Sequence, residues 1–316
     1  MKKLEPILTE NKDRFVLFPI KQEEMWKLYK QIENNFWYSD NISFKEDIDD
    51  FQNKLNDSER EFVQFAIRTL LLRYNNNQND AITHFIQEMQ YPEARCFLGF
   101  QIMMTNIHSE TYSVFSETFI GKNTDPDSLL KELSNSGAFV EKSKWIESKF
   151  INEPNFSKRL VAYAAMQRIF CASLFPVIVN FKERCILNVF TMLTSFMYND
   201  EGLFTDFALS IYSQLTNLLT VEEERKIIDE AIAIEQQLIK SFSHIYLAIG
   251  VNPDELNKYL HHLADCIASS LSGQSIYGNE ANPYKNIIWQ RRFVKIDPNK
   301  QLKDIADKIF SLEADF

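Results

Sequence analysis

Apolar residues recur with a helical period along most of this chain. In residues 21–35 (KQEEMWKLYKQIENN), Met25, Trp26, Leu28, Tyr29 and Ile32 form one broad stripe, which predicts a helix. Asp57 and Ser58 stand as caps before the periodic run EREFVQFAIRTLLLRY. That helix can continue past residue 80, with a local distortion at Asn75-Asn76-Asn77, three poor helix formers. Pro92 suits the first turn of a long helix that runs from Glu93 to about Ile120. GKNTDPDS (121–128) reads as a turn, two shorter helices follow to 150, and NEPNFS (152–157) breaks the chain again. Residues 158–181, about 184–197, 200–218, 221–248 and 253–271 read as further helices. After Gly273 the pattern fades into SGQSIYGNEANPYKN and a polar, charged stretch at 290–309. The pattern predicts an all-α chain without internal repeats: a helical domain over 1–285 and a flexible tail over 286–316.

Composition narrows this picture. Only 7 of 316 residues are Gly and 9 are Pro, too few for the turns of a β-rich fold. The 26 Phe and 12 Tyr predict an aromatic core. A formal net charge of -10 argues against nucleic-acid or anionic-membrane binding, both of which need basic surface. Cys96, Cys171, Cys185 and Cys266 are far apart, as free thiols in a reducing compartment are. The N-terminal segment lacks an apolar core of signal-peptide length. The most apolar run, SLFPVIVNF (173–181), is short and followed by charge, so no membrane span is expected. These features predict a soluble intracellular protein, cytoplasmic in location.

Few chemistries fit. There is no GxGxxG, GxxxxGK[ST], HExxH or GxSxG. His261 and His262 are adjacent and point different ways on a helix, and with five histidines in all a zinc site is not expected. What remains is a carboxylate-rich site inside a helix bundle, built from single carboxylates and E-x-x-H pairs. Residues i and i+3 share a helix face, so one helix can offer both groups to one ion. Two iron ions carry about +4 charge into a dry interior, and several carboxylates must offset it.

Six segments carry a specific resemblance: RFVLFPI (14–20), FWYSD (36–40), EARCFLGFQI (93–102), NIHSETYS (106–113), DEGL (200–203) and FSLEADF (310–316). In this order they resemble the small subunit of class I ribonucleotide reductase, from about Glu5 to Phe316. The resemblance implies a ferritin-like helical bundle with additional helices, a dimer, and a di-iron centre beside a tyrosyl radical. That radical is passed to a large subunit that reduces ribonucleoside diphosphates, the step that supplies deoxyribonucleotides for DNA replication.

Carried over residue by residue, the resemblance breaks at the metal. The first ligand, an aspartate in the family, falls on Tyr74. The first E-x-x-H pair keeps His108 but has Thr105 for its glutamate, and Glu110 lies on the wrong face to replace it. The next glutamate position is Gln167. The second pair keeps Glu201 but has Phe204 for its histidine. His108 and Glu201 thus survive as relict ligands, and one carboxylate is too little charge for two irons. They are expected to face each other in the old site, with Tyr74 and Phe204 filling its volume.

The radical machinery is mixed. Tyr112 stands at the radical position, and Trp37 and Asp200 match the family's transfer route. Cys171 replaces a phenylalanine of the radical pocket, and no tyrosine follows Tyr284 to carry a radical down the tail. All three route positions are expected to be silent. The tail's FSLEADF resembles the family's docking peptide, in which Phe310, Leu312, Asp315 and Phe316 would meet the large subunit.

The reading is a small-subunit component of ribonucleoside-diphosphate reductase that binds no metal cofactor. It would pair with a competent small subunit as a heterodimer, or with itself as a homodimer, and dock the large subunit. The alternative is an active small subunit that forms a radical at Tyr112 with an altered metal site. A single ion held by His108, Glu201 and waters is a third reading.

Overall fold

The computed structural model describes residues 4–39, 42–75, 78–121, 130–131, 133–285 and 287; the side chains of 73–75, 78–81 and 151 lie outside the description. Twelve α-helices follow one another among the described residues, and no strand occurs there. They are α1 (Glu23–Asn34), α2 (Lys45–Asp49), α3 (Asp57–Asn75), α4 (Gln78–Glu88), α5 (Pro92–Phe119), α6 (Gly137–Ile146), α7 (Phe156–Ile169), α8 (Phe175–Glu183), α9 (Asn188–Tyr212), α10 (Val221–Ser241), α11 (Ser243–Ala248) and α12 (Pro253–Leu271).

Four of these make the central bundle. α3 packs on α5, α5 on α9, and α9 on α7 in the most extensive helix contact of the molecule. α7 lies deepest: every residue but Lys158 is buried, as expected of a helix without a polar face. Its Ala162, Ala164 and Ala165 let neighbours approach closely. α1 covers the outer side of α5, and α10 and α12 cover α7.

Carboxylates finish helix ends that lie inside the fold. The first amides of a helix have no partner within it and must find an acceptor. Buried Glu93, in the first turn of α5, accepts from the amides of Lys21 (2.7 Å) and Gln22 (3.1 Å), which fixes the entry to α1. Asp47 accepts from the amides of Val189 (3.1 Å) and Phe190 (2.7 Å), and Asp50 from that of Leu187 (2.9 Å), so two carboxylates cap α9. Burial pushes the Asp47 carboxyl up to about 6, although both N–H bonds pull it back down. α10 opens with a capping box of Thr220 and Glu223, and Asn252 caps α12.

A second polar tie crosses the core beyond the four-helix bundle. Lys142 of α6 meets Glu235 of α10 at 3.0 Å, and Ser173 donates to the other Glu235 oxygen at 3.0 Å. The Ser173 hydroxyl also lies 3.0 Å from the Tyr246 hydroxyl of α11. Lys142 sits 4.6 Å above the Phe170 ring, so its charge is balanced on two sides.

Several expectations from periodicity are corrected. The helix expected over 158–181 breaks: Cys171 adopts a left-handed conformation (φ 66°), a 3₁₀ turn follows at Ala172–Leu174, and Pro176 opens α8. The helices expected over about 184–197 and 200–218 are one helix, α9, in which Tyr198 and Asp200 find tertiary partners. The span 221–248 divides at Phe242, whose ring packs 4.9 Å from that of Phe65. Phe156–Glu183 also contains a window long and apolar enough to cross a membrane, contrary to the expectation of none, but it is wholly buried inside the molecule. Its apolarity is that of a core helix. The tail, with Phe310, Leu312, Asp315 and Phe316, lies outside the described residues.

The Asp47 cap makes a simple prediction. Asp47→Ala leaves two buried amides without their acceptor and is expected to destabilise the protein by about 1–3 kcal/mol in urea unfolding.

Candidate functional site

The inward face of α5 carries Gln101, Thr105, His108 and Tyr112 at three- and four-residue spacing, all buried. Opposite them α9 presents Asp200, Glu201 and Phe204, and α7 presents Tyr163 and Gln167. Trp37 enters from the segment between α1 and α2. These residues converge where α5, α7 and α9 meet; Tyr74 belongs to α3, but its side chain lies outside the described residues.

Asp200 organises the group. One of its oxygens, Oδ2, accepts from Trp37 Nε1 at 2.8 Å and lies 2.9 Å from His108 Nε2. The Trp37 and His108 rings stack, with centroids 5.6 Å apart and planes 18° from parallel. Asp200 is 2 % exposed and His108 0 %, so water does not compete for either bond. The imidazole is thus oriented by the aspartate that the resemblance assigned to the transfer route.

The other positions satisfy themselves differently. The Thr105 hydroxyl donates to the carbonyl of Gln101 one turn back, at 2.8 Å. Gln101 in turn donates through Nε2 to the Tyr163 hydroxyl, joining α5 to α7. Phe204 is 2 % exposed, and its ring stands 6.2 Å from His108 and 6.4 Å, edge on, from Phe97. Phe97 stacks on Phe207 at 3.9 Å, so hydrocarbon fills this end of the site. Glu201 is 2 % exposed and Gln167 is buried. Tyr112 is fully buried beside Phe115, with ring centroids 6.1 Å apart. Cys171 is fully buried at the break after α7.

The structure therefore brings Trp37, Asp200, His108 and Phe204 into one cluster, and sets Thr105 and Tyr112 on the same face of α5 as His108. Among the described residues, no three His, Cys, Asp or Glu side chains are grouped so as to hold a metal ion. The side chains present do not fit a di-iron centre: a phenyl ring cannot ligate, a threonine engaged with its own helix offers no charge, and Glu201 is the one carboxylate among the described ligand positions. Sequence reasoning missed the Gln101–Tyr163 bond. Its signal was present, since Gln101 precedes Thr105 by one turn and Tyr163 precedes Gln167 by one turn.

A four-helix bundle with buried polar residues on the inward faces of its helices is the arrangement of ferritin-like proteins, the class whose sites lie between helices. The chain belongs to the ribonucleotide reductase small-chain family, whose pattern it matches over residues 14–283. It is 36% identical over 281 residues to the ribonucleoside-diphosphate reductase small chain of Neurospora crassa, covering 89% of this chain and 68% of that one. It is 34% identical to the small subunit of Dictyostelium discoideum over 99% of this chain and 97% of that one. Among solved structures, the Rnr4 ribonucleotide reductase homodimer of Saccharomyces cerevisiae is similar with a TM-score of 0.82 and 30% identity, covering 96% of this chain and 93% of that chain. The chain is thus a small subunit of class I ribonucleoside-diphosphate reductase by family.

The Asp200 cluster is testable by itself. Asp200→Ala strands two buried donors and should cost about 2–4 kcal/mol. Asp200→Asn, with its amide oxygen in the place of Oδ2, still accepts from both Trp37 and His108 and loses only the charge; it should cost about 1 kcal/mol. Thermal or urea unfolding of the two variants checks the order, and equal losses would contradict the two-donor arrangement.

Proposed function

We propose that this small subunit works as a metal-free partner within ribonucleoside-diphosphate reductase. It pairs with a competent small subunit and helps it engage the large subunit; it does not itself generate the radical. The observation that carries this reading is the chemistry at the ligand positions. His108 and Glu201 keep ligand types, whereas Thr105 is turned onto its own helix and Phe204 closes the site with an apolar ring. A di-iron centre brings a charge that one carboxylate cannot offset in a buried site.

Iron bound in a competent partner would supply the one-electron oxidation that creates the radical. This chain's residues act otherwise. Asp200 holds the His108 ring and the Trp37 indole in fixed orientation, and Phe97, Phe204 and Phe207 keep water out of the space beside them. Tyr112 stays an aromatic core residue. Similarity to the Rnr4 homodimer supports a paired assembly; a heterodimer with a competent small subunit is the functional form in this reading, and the homodimer is its form in isolation. The tail (286–316) ends in FSLEADF, which docks the large subunit through Phe310, Leu312, Asp315 and Phe316. The assembly is cytoplasmic and serves deoxyribonucleotide synthesis.

Metal content and electron paramagnetic resonance, recorded after ferrous iron and oxygen are added to the purified chain, test the central point. Less than about one iron per chain is expected, without a tyrosyl signal. A stoichiometric di-iron load with a radical at Tyr112 would establish the alternative, an active subunit with an altered site. Deleting 310–316 should abolish binding to the large subunit and leave small-subunit pairing intact, as read by pull-down.

A further inference from the structure

A groove of about 430 Å³ lies between α8, the turn that joins α11 to α12, and the segment that follows α12. Pro176 and Val177 come from α8, Ile249 and Val251 from the turn, and Tyr284 and Ile287 from the later segment, so the walls are largely apolar. The turn is held by its own backbone. Gly250 is left-handed (φ 76°); its amide donates to the Leu247 carbonyl at 3.0 Å, and that of Val251 to the Tyr246 carbonyl at 2.9 Å. At the rim Glu59 pairs with Arg184, and Glu183 ends α8 as an exposed carboxylate. Ile287 is the last described residue, and it is 4% exposed. Asn282 accepts from the Tyr284 amide at 2.9 Å and donates through Nδ2 to the Ile287 carbonyl at 2.6 Å. The Ile287 amide in turn donates to the Tyr284 carbonyl at 3.0 Å. The tail therefore begins at the wall of this groove, from a root fixed at both its amide and its carbonyl.

We propose that the groove seats the first residues of the tail, 288–293, with Trp289 as the anchor. Reach favours this occupant. Six residues span at most about 20 Å when extended, and they are bonded to a residue that already lines the groove. Composition favours it too. Ile288, Trp289 and Phe293 follow one another closely, and an indole ring seated between apolar walls removes about 150–250 Å² from water. Charge points the same way. Residues 288–296 carry Arg291, Arg292 and Lys295 and no acid, whereas the whole chain carries -10 and the rim offers Glu183. The terminal FSLEADF is apolar as well, but it is acidic and lies much farther along the chain, so it fits this acidic body less well. Because the segment is tethered at the groove, seating it costs no loss of free translation.

The seat changes the reach of the tail. With 288–293 held, the tether of the FSLEADF peptide shortens to residues 294–309 and starts from one fixed place on the body. A shorter tether of fixed origin raises the local concentration of the peptide near that place and excludes sites beyond its length. This use of the anchor rests on the reading that FSLEADF docks the large subunit; the seat itself does not depend on it.

Trypsin treatment of the full chain under native conditions, with the released peptides read by mass spectrometry, tests the seat. Arg292 lies in the proposed segment and Lys300 beyond it, so one tail supplies both site and control. Cleavage after Arg292 is expected to be about 10-fold slower than after Lys300. Trp289→Ala, a change in the tail that leaves the helical body untouched, should bring the two rates together. Ile249→Asp and Val251→Asp, on the groove wall, should do the same with the melting temperature little changed; if one of them melts early, the other decides. Equal rates in the wild type overturn the proposal. Protection that survives the wall changes puts the segment elsewhere and overturns it as well. Protection lost on dilution means that the segment sits on a second copy, and the proposal again fails. None of these readouts involves metal or the large subunit, so the pull-down with 310–316 deleted decides the docking reading separately.

Discussion

A single buried carboxylate oxygen takes two donors from separate parts of the chain. Trp37 comes from the segment after α1, His108 from the middle of α5, and Asp200 itself from α9. An ionised group at this depth is costly unless it is met by donors, and both bonds here are sheltered from water. The arrangement fixes the rotation of α5 relative to α9 and anchors a segment that has no secondary structure of its own. Around it the remaining polar groups are met in a similar way. Gln101 reaches Tyr163, Thr105 returns to its own helix, and carboxylates of other elements cap α1 and α9.

Two kinds of buried polar group coexist in the bundle. The network of Lys142, Glu235, Ser173 and Tyr246 joins outer helices to the break after α7 and is built from paired charge and hydroxyls. The group around Asp200 lies where the family's inner helices meet. Hydrocarbon has entered that second region through Phe204, with Phe97 and Phe207 stacked behind it. Phe97, Phe204 and Phe207 pack ring against ring there, as suits an interior that tolerates few voids.

Much of this was legible in the residues. The starts of α5 and α12 follow from Pro92 and from Asn252-Pro253, local signals that tertiary structure had no reason to override. The stripe of Met25, Leu28 and Ile32 is the buried face of α1. The break at Cys171 was not legible, since no glycine marks its left-handed conformation, and neither was the left-handed Leu187 before α9. Nor did the local sequence show that α9 runs unbroken through Tyr198-Asn199-Asp200, because what holds it there is contact with Trp37 and Tyr259, distant in the chain. In the site, identities at fixed spacings gave the positions of His108, Thr105, Glu201 and Phe204. They could not show that the imidazole would turn its Nε2 to Asp200, since that choice depends on where Trp37 arrives.

The length of α5 has an evolutionary corollary. Its 28 residues span about 42 Å at 1.5 Å per residue, and each residue adds about 100° of rotation. One face of this rod carries the core polar residues and another the half-buried Phe100 and Ile107 with exposed Met103, so a single frame serves both. Inserting or deleting one residue near Gly99 would swing His108 and Tyr112 off the bundle axis and carry the outward stripe round with them. Side chains along α5 can thus be exchanged with its frame intact, whereas a change in its length moves both faces at once. Substitution, and not insertion, is the route by which such a helix can lose one task and keep another.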